Sequence, residues 1–217
     1  MTGLVRPRLL DLFCGGGGAG TGYWLAGFEV VGVDSAKQPR YPFSFFQADA
    51  LEFARLYGDR FDAIHASPPC QAYSRLAARH PDREHPDLIG PTRAVLQALG
   101  KPYAIENVPD APLLEPVVLC GSAFGLGTDE YQLRRHRAFE TNWPLMVQPC
   151  SHDDRPVLSV AGHAGRASRN CSGSSAERRE AMGAPWLAGE AMPEAIPPAY
   201  TEFIGRQLIA HATELVA

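Results

Sequence analysis

In the stretch Cys14-Gly15-Gly16-Gly17-Gly18-Ala19-Gly20, five of seven residues are glycine. An apolar run, residues 8–13, precedes it and reads as a strand. Residues 21–26 read as a helix that Gly27 closes. Residues 29–33 read as a second strand with Asp34 at its end. Strand, glycine turn, helix, strand and acid, in that order, open a right-handed βαβ unit and commit the chain to an α/β fold. Glycine admits close backbone approach and positive φ. A helix N-terminus behind such a turn offers N–H groups to an anionic group, and an acid ending the second strand suits a ribose diol. The spacing is not Gly-x-Gly-x-x-Gly, so no nicotinamide cofactor is inferred.

The same alternation continues. Residues 43–47 read as a third strand followed by Asp49, and 51–57 as a short helix. Residues 62–66 read as a fourth strand, and Ser67-Pro68-Pro69-Cys70-Gln71 follows it. Two prolines forbid helix and end ladder donation, so the chain leaves the sheet extended with a thiol at the strand end. Residues 71–86 are polar and read as a long loop of the kind that covers sites. Asp87 caps a helix running through residue 99, and Gly100 ends it. Residues 103–105 read as a fifth strand, with Glu106-Asn107-Val108-Pro109 at its end. Asp34, Asp49, Cys70 and Glu106 therefore each follow an apolar strand. The carboxyl ends of parallel strands share one edge of a sheet, so these groups converge there.

The second half is less regular. Residues 117–124 read as strand and turn, and 133–141 as a strand with Arg135 and Arg137 on one side. Residues 144–170 are loop-rich with a short strand at 157–161, and 176–182 form a small helix. Pro197-Pro198 starts a last helix with Ile204, Leu208, Ala212 and Leu215 in one apolar stripe. At 217 residues the chain suits one α/β domain with a modest appendage. Five cysteines without a framework argue against a disulfide scaffold and for a reducing, cytoplasmic setting. No apolar run spans a bilayer, and the first strand begins too early to leave room for a signal peptide. The net charge is −4, but Arg134, Arg135, His136 and Arg137 form a basic cluster, and Arg166, Arg169, Arg178 and Arg179 follow. Local basic clefts coexist with an acidic total. Cys150, His152, His163 and Cys171 match no familiar zinc spacing, so no metal is expected. Trp143 and Trp186 are expected to pack rather than stack on bases.

Taken together, Asp11-Leu-Phe-Cys-Gly-Gly-Gly-Gly-Ala-Gly20, Pro68-Pro-Cys-Gln71, Glu106-Asn-Val108 and Gln132-Leu-Arg-Arg-His-Arg137 resemble, in order, the motifs of DNA cytosine-5 methyltransferases. Ala195-Ile-Pro-Pro-Ala-Tyr-Thr-Glu-Phe-Ile-Gly205 resembles the family's last motif. The small size resembles compact phage and prophage members. The resemblance covers roughly residues 8–145 and 192–212. Glu194 stands where the family usually has Asn, and the arginine motif is one residue longer than usual.

The resemblance implies a Rossmann-like S-adenosylmethionine-dependent methyltransferase fold, a mixed, mostly parallel sheet with helices on both faces. Residues 1–145 plus 192–217 would form the catalytic domain, and 146–191 a reduced, loop-rich target-recognition region. S-adenosylmethionine would lie against Phe13, Cys14, Gly15, Gly16, Gly17, Asp34, Asp49 and Pro69. Cys70 would be the nucleophile, Glu106 the group at the pyrimidine N3 edge, and Arg137 with Arg135 a contact to the base. Gln71, Ser74, Arg75 and Asn107 would touch the substrate, double-stranded DNA with its cytosine flipped out. A dimer or a partner protein would supplement the short recognition region. Two other readings stay open: methylation of cytosine in RNA or a free nucleotide, and a catalytically silent protein that binds DNA or S-adenosylmethionine. An intact thiol at a strand end speaks against silence.

Overall fold

The computed structural model describes residues 6–71, 73, 86–160, 173–189 and 191–214. The strands are β1 (Arg8–Leu12), β2 (Glu29–Asp34), β3 (Ser44–Gln47), β4 (Ala63–Ala66), β5 (Tyr103–Asn107), β6 (Val117–Leu119) and β7 (Arg137–Thr141). Among the described residues they form one sheet in the order β3-β2-β1-β4-β5-β7-β6. The first five are parallel, β7 runs antiparallel to β5, and β6 antiparallel to β7. The helices are α1 (Gly18–Ala26), α2 (Ala50–Tyr57), α3 (Ile89–Leu99), α4 (Ser175–Ala181), α5 (Ala191–Glu194) and α6 (Pro198–Glu214). None of the described helices is long and apolar enough to cross a membrane.

Period-two alternation sorts the strand residues into two cores. Leu10, Leu12, Val31, Val33, Ile64 and Ile105 pack with Ala54 of α2 and Leu96 of α3. Leu9, Val30, Ala63 and Phe139 pack on the other face with Tyr23 of α1 and Tyr200, Ile204 and Leu208 of α6. Helix α6 lies so close to α1 that a Cβ on Gly22 would sit 2.1 Å from the Pro198 carbonyl and from Thr201 Oγ1. A third cluster joins Leu133 to Leu158, Val160, Met182, Leu187 and Met192, so the 146–191 segment packs against the chain just before β7 and against α5.

Several boundaries differ from the sequence reading, each for a local reason. Helix α1 starts at Gly18 rather than residue 21, because Gly17 takes φ 82° and turns the chain directly into it. Helix α3 starts at Ile89, with Asp87 Oδ1 accepting from Ile89 N at 3.1 Å. The 133–141 strand is shorter: Arg135 has φ 26°, a left-handed conformation that breaks the ladder, so β7 begins at Arg137. The 157–161 strand is reduced to a bridge between Gln132 and Val157, and residue 161 lies outside the described residues. Helix α4 is fixed by a capping box between Ser174 and Glu177, and its Arg178 is buried, which removes it from the surface basic cluster. Residues 74–85, His163, Arg166, Arg169, Cys171 and Leu215 lie outside the described residues.

The link from β2 to β3 is only residues 35–43, shorter than the dozen or more residues that parallel neighbours usually need. Aromatic side chains fill the space a crossover helix would take. Tyr41 lies over Gly32, where an added Cβ would fall 2.3 Å from its ring, and Phe43 packs against Tyr41 and Trp24. The Tyr41 hydroxyl donates to Asp11 Oδ2 at 2.9 Å. Asp11 is fully buried in β1, and its Oδ1 has no hydrogen-bond partner. Burial pushes its carboxyl up to about 7, against the Tyr41 hydrogen bond. The folded protein therefore holds this proton up to about pH 7, whereas the unfolded chain releases it near 3.8. The stability Asp11 contributes is complete below the unfolded value and is lost as pH rises through about 7. Relative to Asp11→Asn, the wild type should lose up to ~4 kcal/mol of unfolding free energy between those limits in denaturant titrations. A difference that does not change with pH would show that Asp11 is ionised in its burial site.

Candidate active site

The loop after β4 carries Cys70, and its backbone is held from the neighbouring strand. Asn107, the last residue of β5, donates from Nδ2 to the Pro68 carbonyl at 2.9 Å, while its Oδ1 accepts from Val108 N. Asn107 is buried, so it positions the Cys70 loop rather than facing a substrate. Glu106 and Asn107 lie on the strand and not after it, which fixes both side chains by the sheet pleat.

Opposite them, β7 pairs Glu106 with Phe139 and Asn107 with Ala138. Arg137 is therefore the diagonal, same-face neighbour of Glu106. Its Nε lies 3.1 Å from Glu106 Oε1, and both side chains are largely covered. Cys70 is half-buried beside this pair. Burial pushes its thiol up, the Glu106 carboxylate adds to the rise, and Arg137 opposes it. Burial likewise raises the Glu106 carboxyl against the pull of Arg137 and a hydrogen bond from Ser67.

Behind Glu106 runs a buried polar chain that the sequence reading missed. The Tyr23 hydroxyl lies 3.1 Å from His65 Nδ1, and His65 Nε2 lies 2.9 Å from Ser67 Oγ. Burial holds the imidazole neutral, with its pKa down to about 3. With Glu106 ionised, Tyr23 O–H donates to Nδ1, Nε2–H donates to Ser67, and Ser67 O–H donates to the carboxylate. The chain thus pairs both His65 nitrogens and anchors Ser67 beside Glu106. The only sequence signal was a histidine inside an otherwise apolar strand.

The two arginines differ in their partners. Arg135 lies within electrostatic reach of Glu106 and Cys70, but its hydrogen bonds go to the segment before α6. Its Nε donates to the Ala195 carbonyl at 3.0 Å, and its Nη2 to the Pro193 carbonyl at 2.7 Å and to the Ala195 carbonyl. The Arg135 carbonyl in turn accepts from the Tyr200 hydroxyl at 2.8 Å. Arg135 thus clamps the segment before α6, whereas the side chain paired with Glu106 is that of Arg137.

On the same edge of the sheet, Asp34 Oδ2 accepts from Gly15 N at 3.0 Å and Oδ1 from Ala36 N at 2.8 Å. Phe13 takes φ 56° and Gly15 φ 48°, and no atom lies within 4 Å of where a Gly15 Cβ would be. Phe13, Gly15 and Asp34 thus border open space and suit a nucleoside with a neighbouring charged group. Asp49 is exposed at the end of β3, where it also caps α2 through Glu52 N at 2.8 Å. Cys14, Gly16 and Gly17 do not face that space. Cys14 is buried, and Gly17 is covered by Pro42 and Tyr41. A Cβ on Gly16 would meet Leu187 at 2.6 Å, and the Gly16 carbonyl accepts from Trp186 Nε1 at 3.1 Å. These three expected cofactor contacts are corrected to packing positions. Pro69 is half-buried and Gln71 exposed beside Cys70, whereas Ser74 and Arg75 lie outside the described residues.

No family model matches the chain. The type II methyltransferase M.AgeI of Thalassovita gelatinovora is 26% identical over 160 residues, which cover 60% of this chain and 37% of that protein. The chain thus spans little more than a third of the curated relative's length. Among solved structures, the Dnmt2 methyltransferase of S. pombe superposes with a TM-score of 0.63 at 12% identity, covering 95% of this chain and 99% of that one. A prophage-encoded E. coli protein assigned as a DNA modification methyltransferase gives 0.61 at 14% identity, covering 96% and 100%. This is the Rossmann-like methyltransferase fold. Within that fold, the thiol and the buried ion pair stand at the carboxyl edge of the parallel strands, where ligands bind.

Two outcomes test this geometry. Replacing Glu106 by Gln should raise the alkylation rate of Cys70 at neutral pH, and Arg137→Gln should lower it, with the Cys70 peptide quantified by mass spectrometry. Arg135→Lys should lower the melting temperature by roughly 5 °C, because it loses the forked contact to Pro193 and Ala195. An unchanged melting temperature would contradict the clamp.

Proposed function

We propose that the chain transfers a methyl group from S-adenosylmethionine to C5 of a flipped-out cytosine in DNA, through a covalent bond between Cys70 and C6. The observation that carries this reading is a half-buried thiol beside a buried Glu106–Arg137 pair on one strand edge. C5 of cytosine is a poor nucleophile, and thiolate addition at C6 converts it to an enamine. S-adenosylmethionine, when bound, supplies an electrophilic sulfonium methyl. Phe13, Gly15, Asp34 and Asp49 are the residues that would hold it, with Asp34 reading the ribose and Asp49 the adenine.

Negative charge builds at N3 and O2 of the ring as the thiolate adds. Glu106, able to hold a proton there, delivers it toward N3, and Arg137 stabilises the charge. The thiol gives its proton to solvent water before attack, a step that burial and Glu106 oppose and Arg137 favours. After methylation the C5 proton leaves to solvent water, the Cys70–C6 bond breaks to release the thiolate, and N3 returns its proton to Glu106. Residues 1–145 plus 192–217 serve as the catalytic body and 146–191 as a reduced recognition region. The shortness of that region favours a second reading, cytosine in RNA or a free nucleotide.

The assay uses methyl-labelled S-adenosylmethionine with duplex DNA, RNA or dCTP. Label at cytosine C5 of DNA is expected, falling by on the order of 10³-fold or more in Cys70→Ser. Label confined to RNA or dCTP would support the second reading, and none on any substrate would sink both. DNA containing 5-fluorocytosine should trap an adduct on the Cys70 peptide; methylation without trapping would remove Cys70 from the nucleophile role.

A further inference from the structure

A cluster of thiols and imidazoles lies at the antiparallel side of the sheet, beyond β7 but on the same carboxyl edge as Cys70 and Arg137. Cys120 follows β6, His136 precedes β7, and Cys150 and His152 come from the loop beyond it. Their ligand atoms all lie within 4.8 Å of one another. Cys120 Sγ is 3.3 Å from His152 Nε2, and Cys150 Sγ is 3.5 Å from His136 Nε2. The two imidazoles stand nearly perpendicular, at 84°, with centroids 5.8 Å apart. A tetrahedral zinc ion with bonds of about 2.3 Å to sulfur and about 2.0 Å to nitrogen puts S and N ligands about 3.5 Å apart. Two thiols and two imidazoles at that separation match the donor set and the size of a closed S2N2 site.

We propose that Cys120, His136, Cys150 and His152 bind one structural zinc ion. Four protein ligands leave no open position, so the ion staples rather than catalyses. The sequence reading weighed Cys150 and His152 with His163 and Cys171, which lie outside the described residues, and found no familiar spacing. The partners the fold supplies instead are Cys120 and His136, from segments that only strand pairing brings together. The consequence is local. His136 adjoins Arg137, and Arg137 Nη1 donates to the His136 carbonyl at 2.9 Å. Ser151 N also donates to Ser122 Oγ at 3.1 Å, tying the loop to the turn after Cys120. A metal here would fix the start of β7 and anchor the first part of the 146–191 segment to it. Metal binding at this cluster does not depend on the chemistry proposed at Cys70.

The full chain, expressed with zinc and purified under reducing conditions, should carry about one zinc per chain by native mass spectrometry and elemental analysis. Replacement by cobalt should give the intense visible bands of tetrahedral S2N2 coordination. Cys150→Ser and His152→Ala change exposed loop residues, and each should cut the bound metal at least about tenfold. Cys70→Ser should keep it. A wild-type chain that takes up no zinc on titration, a Cys120–Cys150 disulfide in freshly purified protein, or full zinc retention in both loop variants would overturn the site.

Discussion

The ion pair between Glu106 and Arg137 joins the last parallel strand to the first antiparallel one. Arg137 is the first residue of β7, so the antiparallel direction is what delivers it to the carboxyl edge of β5. A parallel β7 in the same place would put that arginine at the opposite edge. Register then does the rest, because the diagonal neighbour on the same face is the one a long guanidinium reaches. Both side chains leave water when the sheet forms, and a buried charge without its partner is costly. The pair therefore constrains the sheet's mixed topology as much as it serves the thiol next to it.

Polar groups elsewhere in the core follow the same logic. Asp11 on β1 stands beside His65 on β4, both on the face that packs under α1 and α6. Neither can be charged there without cost. Asp11 keeps a proton and a bond from Tyr41, and His65 stays neutral between Tyr23 and Ser67. The tyrosine from the short β2–β3 link thus replaces both a missing crossover helix and a missing partner. The chain from Tyr23 to Ser67 ends on Glu106, so the α1 helix reaches the carboxyl edge of the sheet through hydrogen bonds. Arg135 fixes the other side by gripping the backbone ahead of α6.

The parallel half of the fold was legible because each strand, turn and helix there is signalled locally, by apolar runs, glycines and prolines. Cys70 and Glu106 were legible for the same reason, since strand ends on one edge converge whatever the details. Asn107 was legible as a site residue but not in its role, because its partner, the Pro68 carbonyl, is 39 positions away. Arg135 and Arg137 read alike along the chain; a single left-handed residue, which no pattern announces in an arginine, gives them different partners.

The sequence by itself determined the α/β class, the order of its elements, the thiol at a proline-enforced strand end and the acid near it. These depend on local propensity and on the two-residue strand period, which a linear string carries. Only the tertiary structure decided which glycines face open space and which are packed under Trp186, Leu187 and Tyr41. It alone assembled Tyr23, His65, Ser67 and Glu106 into one chain, and Cys120, His136, Cys150 and His152 into one cluster. The physical reason is that these groups lie on different segments. Strand register, helix packing and the direction of β7 set their distances, and none of those quantities is written in any one stretch of residues.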